Sequence, residues 1–123
     1  MMKKILGTFL LIFMITFYWS SCTSDTLVDV LPSGPVSFSN DLQPVFDQNC
    51  SKSGCHVTGM VSPDLTAGKS YNSLISANLV DTLQPSQSVL YKQVAAGGTM
   101  SSYCTKAQSQ LILLWIQQGA KNN

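Results

Sequence analysis

The chain has 123 residues, of which 45% are hydrophobic and 11% are charged, and its formal net charge is +1. This length predicts one small folded domain. Its seven cations are scattered lysines and it has a single histidine, so the composition argues against nucleic-acid partners, which need a basic stripe, and against hydrolysis by an acid–base pair.

Residues 1–21 have the pattern of a lipoprotein-type signal peptide. Two lysines precede an apolar run over 5–19, and two serines stand directly before Cys22. This pattern predicts cleavage before Cys22 and lipidation of its thiol, while a plain secretory signal with an unmodified Cys22 is the alternative. An acylated Cys22 would hold the protein at a membrane, on the periplasmic or cell-surface side, without spanning the bilayer.

Residues 22–37 are rich in Ser, Thr, Asp, Pro and Gly, which is typical of a flexible tether. The folded domain is expected over 38–123. From Cys22 onward the chain contains five lysines and six aspartates, a net charge of −1. The protein therefore lacks the strong charge that steers association with a very acidic or very basic partner over long distances.

The first helix is expected to begin near Ser39 or Asn40, either of which can cap it, with Asp41 in its first turn. The helical spacing of its apolar residues ends at about Asn49. This helix would therefore deliver Cys50 at its C-terminal end.

Two short helices are expected in the middle of the chain. Ser70 can cap a second helix that contains Tyr71, Leu74 and Ile75, and Ser86 can cap a third that contains Val89, Leu90 and Val94. The glycine pair at 97–98 is expected to stop the third helix.

The last helix has the clearest boundaries. Thr105 and Gln108 form a capping-box pattern at its start, and Gly119 is a natural residue just past its end. Strand signals are weak throughout. The sequence thus predicts an all-α domain of three to five short helices with long loops.

The segment Cys50-Ser51-Lys52-Ser53-Gly54-Cys55-His56 carries the strongest chemical signal. Two thiols can add to the vinyl groups of a haem, and an adjacent imidazole can then reach the iron. Four residues separate the cysteines, whereas the common attachment motif has two. A Cys50–Cys55 disulfide in a secreted protein explains the same pair, and the residues alone leave both readings open.

A second axial ligand would have to come from elsewhere in the chain. His56 is the only histidine, and after residue 22 the only methionines are Met60 and Met100. Met60 is tied to the same side of the ring as His56, whereas Met100 lies 44 residues further on in a glycine-flanked loop. Met100 is therefore the candidate distal ligand, and a five-coordinate iron with Met100 as a packing residue is the alternative.

Cys104 is the remaining thiol. If haem occupies Cys50 and Cys55 and lipid occupies Cys22, Cys104 has no intramolecular partner. We expect a buried free thiol beside the last helix, although a thiolate ligand to iron is also possible.

The order of these motifs resembles that of class I cytochrome c domains, and more narrowly of small lipoprotein-type domains with an enlarged cysteine spacing. The similarity covers about residues 38–120. The residues that carry it are Phe46-x-x-x-Cys50, the cysteine pair ending in His56, Asp64-Leu65-Thr66, Tyr71-Asn72-Ser73-Leu74, Ser88-Val89-Leu90, Gly97-Gly98-Thr99-Met100, Leu111, Leu114 and Trp115-Ile116-x-x-Gly119-Ala120.

The resemblance implies one covalent haem c wrapped by the helices, attached to Cys50 and Cys55, with His56 as proximal and Met100 as distal ligand. It also implies that Phe46 and Trp115 form an aromatic pair where the first and last helices cross. Ser101 stands where the family often has a proline. Tyr71, Tyr91 and Trp115 are expected to line the haem pocket or to bind the propionates.

The expected function is single-electron transfer with redox partners bound by transient contact, rather than enzymatic catalysis. A haem-free, disulfide-linked surface lipoprotein that acts as a binding module is the alternative. A five-coordinate haem that senses or turns over a small molecule is a third possibility.

Overall fold

The computed structural model describes residues 31–123, and within them the protein is helical and has no strand, as the sequence predicts. The four α-helices are α1 (Gln43–Asn49), α2 (Ser70–Ser76), α3 (Val89–Val94) and α4 (Lys106–Gln117). A π-helical turn, Phe38–Leu42, leads into α1, and 3-10 turns over Pro85–Gln87 and Ser101–Tyr103 precede α3 and α4. None of the helices in this part of the chain is long and apolar enough to cross a bilayer.

The signal peptide and the lipidation site at Cys22 lie outside the described residues. Of the predicted tether, only 31–37 is described, and its last two residues pack onto the helices. Val36 is buried, and its N–H donates to Gln118 Oε1 at 2.7 Å. Within residues 31–123, packing onto the helices therefore begins near Val36.

Helix α4 has the caps that the sequence predicts. The Gln108 N–H donates to Thr105 Oγ1 at 3.2 Å, and the Thr105 N–H donates to Gln108 Oε1 at 2.9 Å, which completes the capping box. Gly119 has φ +93°, the left-handed conformation that ends a helix and that glycine adopts without strain.

The helical segment that contains α1 begins earlier than predicted. Ser37, rather than Ser39 or Asn40, is its N-cap, with Ser37 Oγ accepting from the Asn40 N–H at 3.2 Å. Asp41 Oδ2 accepts in return from the Ser37 N–H at 2.7 Å. The early start places Phe38 in the first turn, where its ring is buried. The end of α1 at Asn49 is as predicted.

The predicted caps of the two middle helices are wrong. Ser70 lies inside α2, where its buried hydroxyl donates to the side-chain oxygen of Gln43. Ser86 lies within a 3-10 turn, and the residue that precedes α3 is Ser88. The Ser88 hydroxyl makes no cap either, because it donates to the carbonyl oxygen of Asp81 at 3.1 Å and accepts from the Asp81 N–H at 2.8 Å.

An aromatic cluster at the centre of the core joins the start of the domain to α4. The Phe38 ring centroid lies 5.2 Å from that of Trp115, 6.0 Å from that of Phe46 and 5.3 Å from that of Tyr71. The resemblance predicts a direct Phe46–Trp115 pair, whereas Phe38 provides the ring contact between the two. Phe46 and Trp115 are both about 1% exposed, so their burial stabilises the junction of the first and last helical segments.

Candidate functional site

A cavity of about 530 Å³ lies beside this core, within the volume range of small-molecule and cofactor sites. Its walls come from the end of α1, the 50–65 loop, α3 and the segment that leads to α4. Cys50, Cys55, His56 and Met100 all line it. The structure therefore brings the four candidate cofactor residues to one cavity, although Met100 is 44 residues from His56 in the sequence.

The deep wall of the cavity is apolar. Phe46 from α1, Leu65 from the loop, and Leu90 and Val94 from α3 line it and are all buried. In residues 31–123, every buried side-chain nitrogen or oxygen atom has a hydrogen-bond partner. The wall of this cavity therefore suits a large apolar ligand or cofactor better than a hydrated ion.

The cysteine segment is closed by its own backbone. The His56 N–H donates to the Cys50 carbonyl at 3.2 Å, and the Cys55 N–H donates to the Lys52 carbonyl at 2.9 Å. Gly54 makes the turn between them with φ +82°, a value that favours glycine. The two extra residues of the wide spacing are thus taken up in a turn, and both cysteines still line the cavity.

The His56 ring is held by a single backbone contact. Its Nδ1 lies 3.1 Å from the carbonyl oxygen of Pro63, which can only accept a hydrogen bond, so Nδ1 carries the proton. In the neutral imidazole, Nε2 then keeps a free lone pair for a metal. A backbone carbonyl bonded to the outer nitrogen is the usual support of a metal-binding histidine.

Asp64, directly after Pro63, fixes the loop that carries this carbonyl. Its carboxylate accepts from the hydroxyls of Thr58 and Thr66, each at 2.6 Å, and its N–H donates to Ser73 Oγ at 2.8 Å. These hydrogen bonds, from Thr58 first and then from Thr66, lower the pKa of Asp64 to about 2. Lys69 adds an exposed ion pair at 3.7 Å, a contact that contributes little by itself.

The Met100 loop is hydrogen-bonded to the end of α3. The Met100 N–H donates to the Gln93 carbonyl at 2.8 Å, and the Thr99 hydroxyl donates to the Gln93 side-chain oxygen. Gly98 packs so closely on this helix that an added Cβ would overlap the carbonyl oxygens of Lys92 and Gln93. The Met100 side chain is 36% exposed, at the rim of the cavity.

Cys50, Cys55 and Cys104 are free thiols in the structure. Cys50 and Cys104 are both half-buried against the core, and the interaction of their thiols shifts the pKa of each. The hydrogen bond that Cys50 donates lowers the pKa of Cys104, whereas the same contact together with burial raises the pKa of Cys50. Cys104 is therefore a free thiol beside α4, half-buried rather than buried as predicted, and it interacts with Cys50, which the sequence does not reveal.

Three predicted pocket residues lie elsewhere. The hydroxyl of Tyr71 donates to the Ala120 carbonyl at 3.1 Å, and the indole Nε1 of Trp115 donates to the Lys121 carbonyl at 2.9 Å. Tyr91 accepts a hydrogen bond from Gln110 at 3.2 Å. None of the three lines the cavity, because each faces the C-terminal part of the chain.

Sequence reasoning also missed residues that shape the cavity. Pro63 supplies the carbonyl that holds His56, and Gln93 supplies the carbonyl that holds Met100. Backbone acceptors leave no signature in residue type. Tyr103 also lines the cavity and is 58% exposed on its rim. Its position three residues after the candidate ligand Met100 is the one sequence feature that could have indicated it.

Comparison with protein-family models, with curated proteins and with solved structures gave no match. Within residues 31–123, no group of three or more His, Cys, Asp or Glu side chains is arranged to hold a metal ion.

Proposed function

We propose that the protein is an electron carrier that holds one covalent haem c in this cavity and is tethered to a membrane outside the cytoplasm through Cys22. In this proposal the helices have a cytochrome c-like arrangement around the macrocycle. Cys50 and Cys55 form the thioether bonds, His56 is the proximal iron ligand and Met100 is the distal one. The bound haem supplies a centre that gains and loses one electron.

The observation that carries the proposal is the set of functional groups around one apolar cavity. Two cysteines, a histidine whose Nδ1 is bonded to a backbone carbonyl, and a methionine line a space of about 530 Å³. A disulfide loop needs neither a cavity beside it nor a histidine held in one tautomer. The geometry therefore supports a thiol-attached, histidine-ligated cofactor better than it supports a structural cystine.

The protein's own contribution to electron transfer would be rigidity and access. The Asp64 network keeps the Pro63 carbonyl against His56, so the proximal ligand changes little in position when the charge on iron changes. Val61 and Val89 on the cavity rim are 54% and 44% exposed. An exposed apolar rim suits the small, short-lived interfaces of redox encounters.

Covalent attachment is tested by haem-dependent peroxidase staining on a denaturing gel, after expression in cells that mature c-type haems. We expect wild type to stain and a variant with both Cys50→Ser and Cys55→Ser to be blank. Cys104→Ser is the matched control, because Cys104 does not line the cavity; this variant should stain. An unstained wild-type band would refute the proposal in favour of the haem-free binding module.

The distal ligand is tested by the spectrum of the ferric protein. Met100→Ala should remove the sulfur–iron charge-transfer absorption and leave the covalent haem in place. Met60→Ala is the control, because Met60 is 62% exposed and outside the cavity lining. If Met100→Ala leaves the spectrum unchanged, the iron is five-coordinate or has another ligand. That result would support a haem that senses or turns over a small molecule.

The membrane tether is tested separately. Cys22→Ser should move the protein from the membrane fraction to the soluble extracytoplasmic fraction, because a cleaved lipoprotein depends on its acyl chains for binding. Haem staining should be unaffected. Retention on the membrane of a variant whose mass shows that residues 1–21 have been removed would rule out lipidation of Cys22 as the anchor.

A further inference from the structure

The contact between Cys50 and Cys104 joins two distant parts of the chain. Cys50 follows the last residue of α1, and Cys104 precedes the N-cap of α4. Both residues pack against the same core, and the interaction of the two thiols shifts the pKa of each. Cys104 is thus a second pairing partner for Cys50, which the proposed function assigns to haem.

A side-chain clamp independent of the thiols holds the same two chain segments together. Gln108 Oε1 accepts from the Thr105 N–H at 2.9 Å and from Asn49 Nδ2 at 3.1 Å. Asn49 is the neighbour of Cys50, and Thr105 is the neighbour of Cys104. One oxygen atom thus joins the residue before Cys50 to the residue after Cys104, so bonds other than the thiol contact hold the two chain segments together.

We propose that, before haem is attached, Cys50 and Cys104 form a reversible disulfide that withholds Cys50 from thioether formation. The oxidant is a disulfide donor of the extracytoplasmic compartment, such as oxidised glutathione or a dithiol oxidase. The two thiols lose two electrons and two protons, one S–S bond forms, and the donor's disulfide is reduced to two thiols. A thiol reductant reverses the reaction by attack of a thiolate on the S–S bond.

The two thiols have different parts in this exchange. The contact with Cys50 lowers the pKa of Cys104, so Cys104 is the better thiolate for attack on the donor. Cys50, whose pKa is raised, then resolves the mixed disulfide as the adjacent second thiol. Cys104 does not line the cavity, so it competes with haem only through Cys50.

Cys55 is the less favourable partner for Cys50. It is exposed and lies on the turn that Gly54 makes, whereas Cys50 and Cys104 are half-buried on the core. A Cys50–Cys104 bond also closes a much longer loop than a Cys50–Cys55 bond, so it removes more entropy from the unfolded chain. The long-range bond is thus expected to dominate once the haem-free chain has folded.

The disulfide itself does not require haem, while its effect on attachment rests on the proposed function. The test uses the full chain with Cys22→Ser, expressed without haem maturation, exposed to oxidised glutathione, alkylated and cut after lysine. Lys52, Lys69, Lys92 and Lys106 place the three thiols on separate peptides. We expect a linked pair, one peptide containing Cys50 and the other Cys104, with Cys55 alkylated.

Linkage of the Cys50 peptide to the Cys55 peptide, or alkylation of all three thiols, would overturn the proposal. Thermal unfolding provides a second readout: oxidation should raise Tm by at least about 5 °C in the parent chain and not in Cys104→Ser. An equal shift in Cys104→Ser would also contradict the assignment. These measurements need no haem, so a blank peroxidase gel would defeat the proposed function without affecting this result.

The consequence for haem loading is measured in maturing cells grown without added reductant. Cys104→Ser should load a larger fraction of its chains with haem than wild type, and added thiol reductant should remove the difference. In the loaded wild-type protein, Cys104 should react with an alkylating reagent. Equal loading of the two chains without reductant would show that the disulfide does not control attachment.

Discussion

The loop that carries His56 and the loop that carries Met100 meet at the same cavity but are held in different ways. In the first, Asp64 hydrogen-bonds to two threonine hydroxyls and to Ser73, and the carbonyl that positions His56 belongs to the residue directly before Asp64. In the second, Met100 and Thr99 both bind to a single residue, Gln93, and Gly98 permits the close approach. The first support is a network of side chains, whereas the second depends on one helix end and one glycine.

These two supports predict which of the proposed haem ligands is easier to displace. Removing one member of the Asp64 network leaves other bonds that still hold the His56 loop. The Met100 loop has one side-chain bond, from Thr99 to Gln93, besides its backbone bonds to Gln93 and Ala95, and its approach to α3 is limited by the absence of a Cβ at Gly98. We therefore expect single substitutions near Met100 to release the distal ligand more readily than single substitutions near Asp64 release the proximal one.

The largest expected effect is that of Gly98→Ala. The new methyl group would overlap two backbone carbonyl oxygens, which cannot rotate away, so the Met100 loop must leave α3. We expect a loss of about 1–3 kcal/mol in the free energy of unfolding. The methionine–iron absorption should disappear while the haem stays attached.

Gly34→Ala is the matched control for Gly98→Ala. A Cβ at Gly34 meets no atom within 4 Å, so urea unfolding of this variant should agree with wild type to within about 0.5 kcal/mol. If the two alanine variants lose the same stability, the close packing at Gly98 is not what holds the loop.

Asp64→Asn should have a smaller effect that depends on pH. Because the pKa of Asp64 is lowered from 3.8 to about 2, the folded state gains stability from the charged form. That gain is complete above about pH 4 and is lost as the pH falls through about 2. The stability difference between wild type and Asp64→Asn should therefore shrink across this interval.

Thr58→Val tests the cause of the lowered pKa of Asp64, since the hydrogen bond from Thr58 is the largest contribution to it. The carboxylate keeps Thr66, so we expect an acid transition between those of wild type and Asp64→Asn. In all three proteins His56 should remain a ligand of the haem iron. A stability difference that stays constant between pH 6 and about pH 2 would show that the carboxylate does not titrate as described.

The smallest expected effect is that of Gln93→Ala. This change removes the hydrogen bond between the Gln93 side chain and Thr99 but leaves the backbone bond to Met100. A neutral hydrogen bond contributes about 0.5–1.5 kcal/mol, so the loss should not exceed that range. The methionine–iron absorption should persist; its disappearance would mean that the side chain, rather than Gly98, controls the loop.

Local sequence patterns predicted the parts of the fold that local contacts determine. The capping box of Thr105 and Gln108 and the end of α1 at Asn49 are confirmed. The predicted caps at Ser70 and Ser86 are wrong, because Ser70 lies within α2 and Ser86 within a 3-10 turn. Ser70 instead bonds to Gln43, 27 residues away, a partner that only the tertiary structure supplies.

The residues of the candidate site likewise divide into those that are neighbours in the chain and those that only the tertiary structure brings together. The grouping of Cys50, Cys55 and His56 at one cavity follows from their nearness in the chain, whereas the presence of Met100 in the same lining depends on the tertiary structure. Nothing in the sequence pointed to the Pro63 carbonyl or to the proximity of Cys104 to Cys50. Both depend on how loops fold back onto the helices, which residue types do not encode.

The most direct test of the proposed haem is the intact mass and visible spectrum of the wild-type protein purified from cells that mature c-type haems. We expect a red protein whose mass exceeds that of the processed polypeptide by one haem and does not fall on denaturation. A colourless protein with the mass of the polypeptide alone, or with the loss of two hydrogens for a disulfide, would contradict the account.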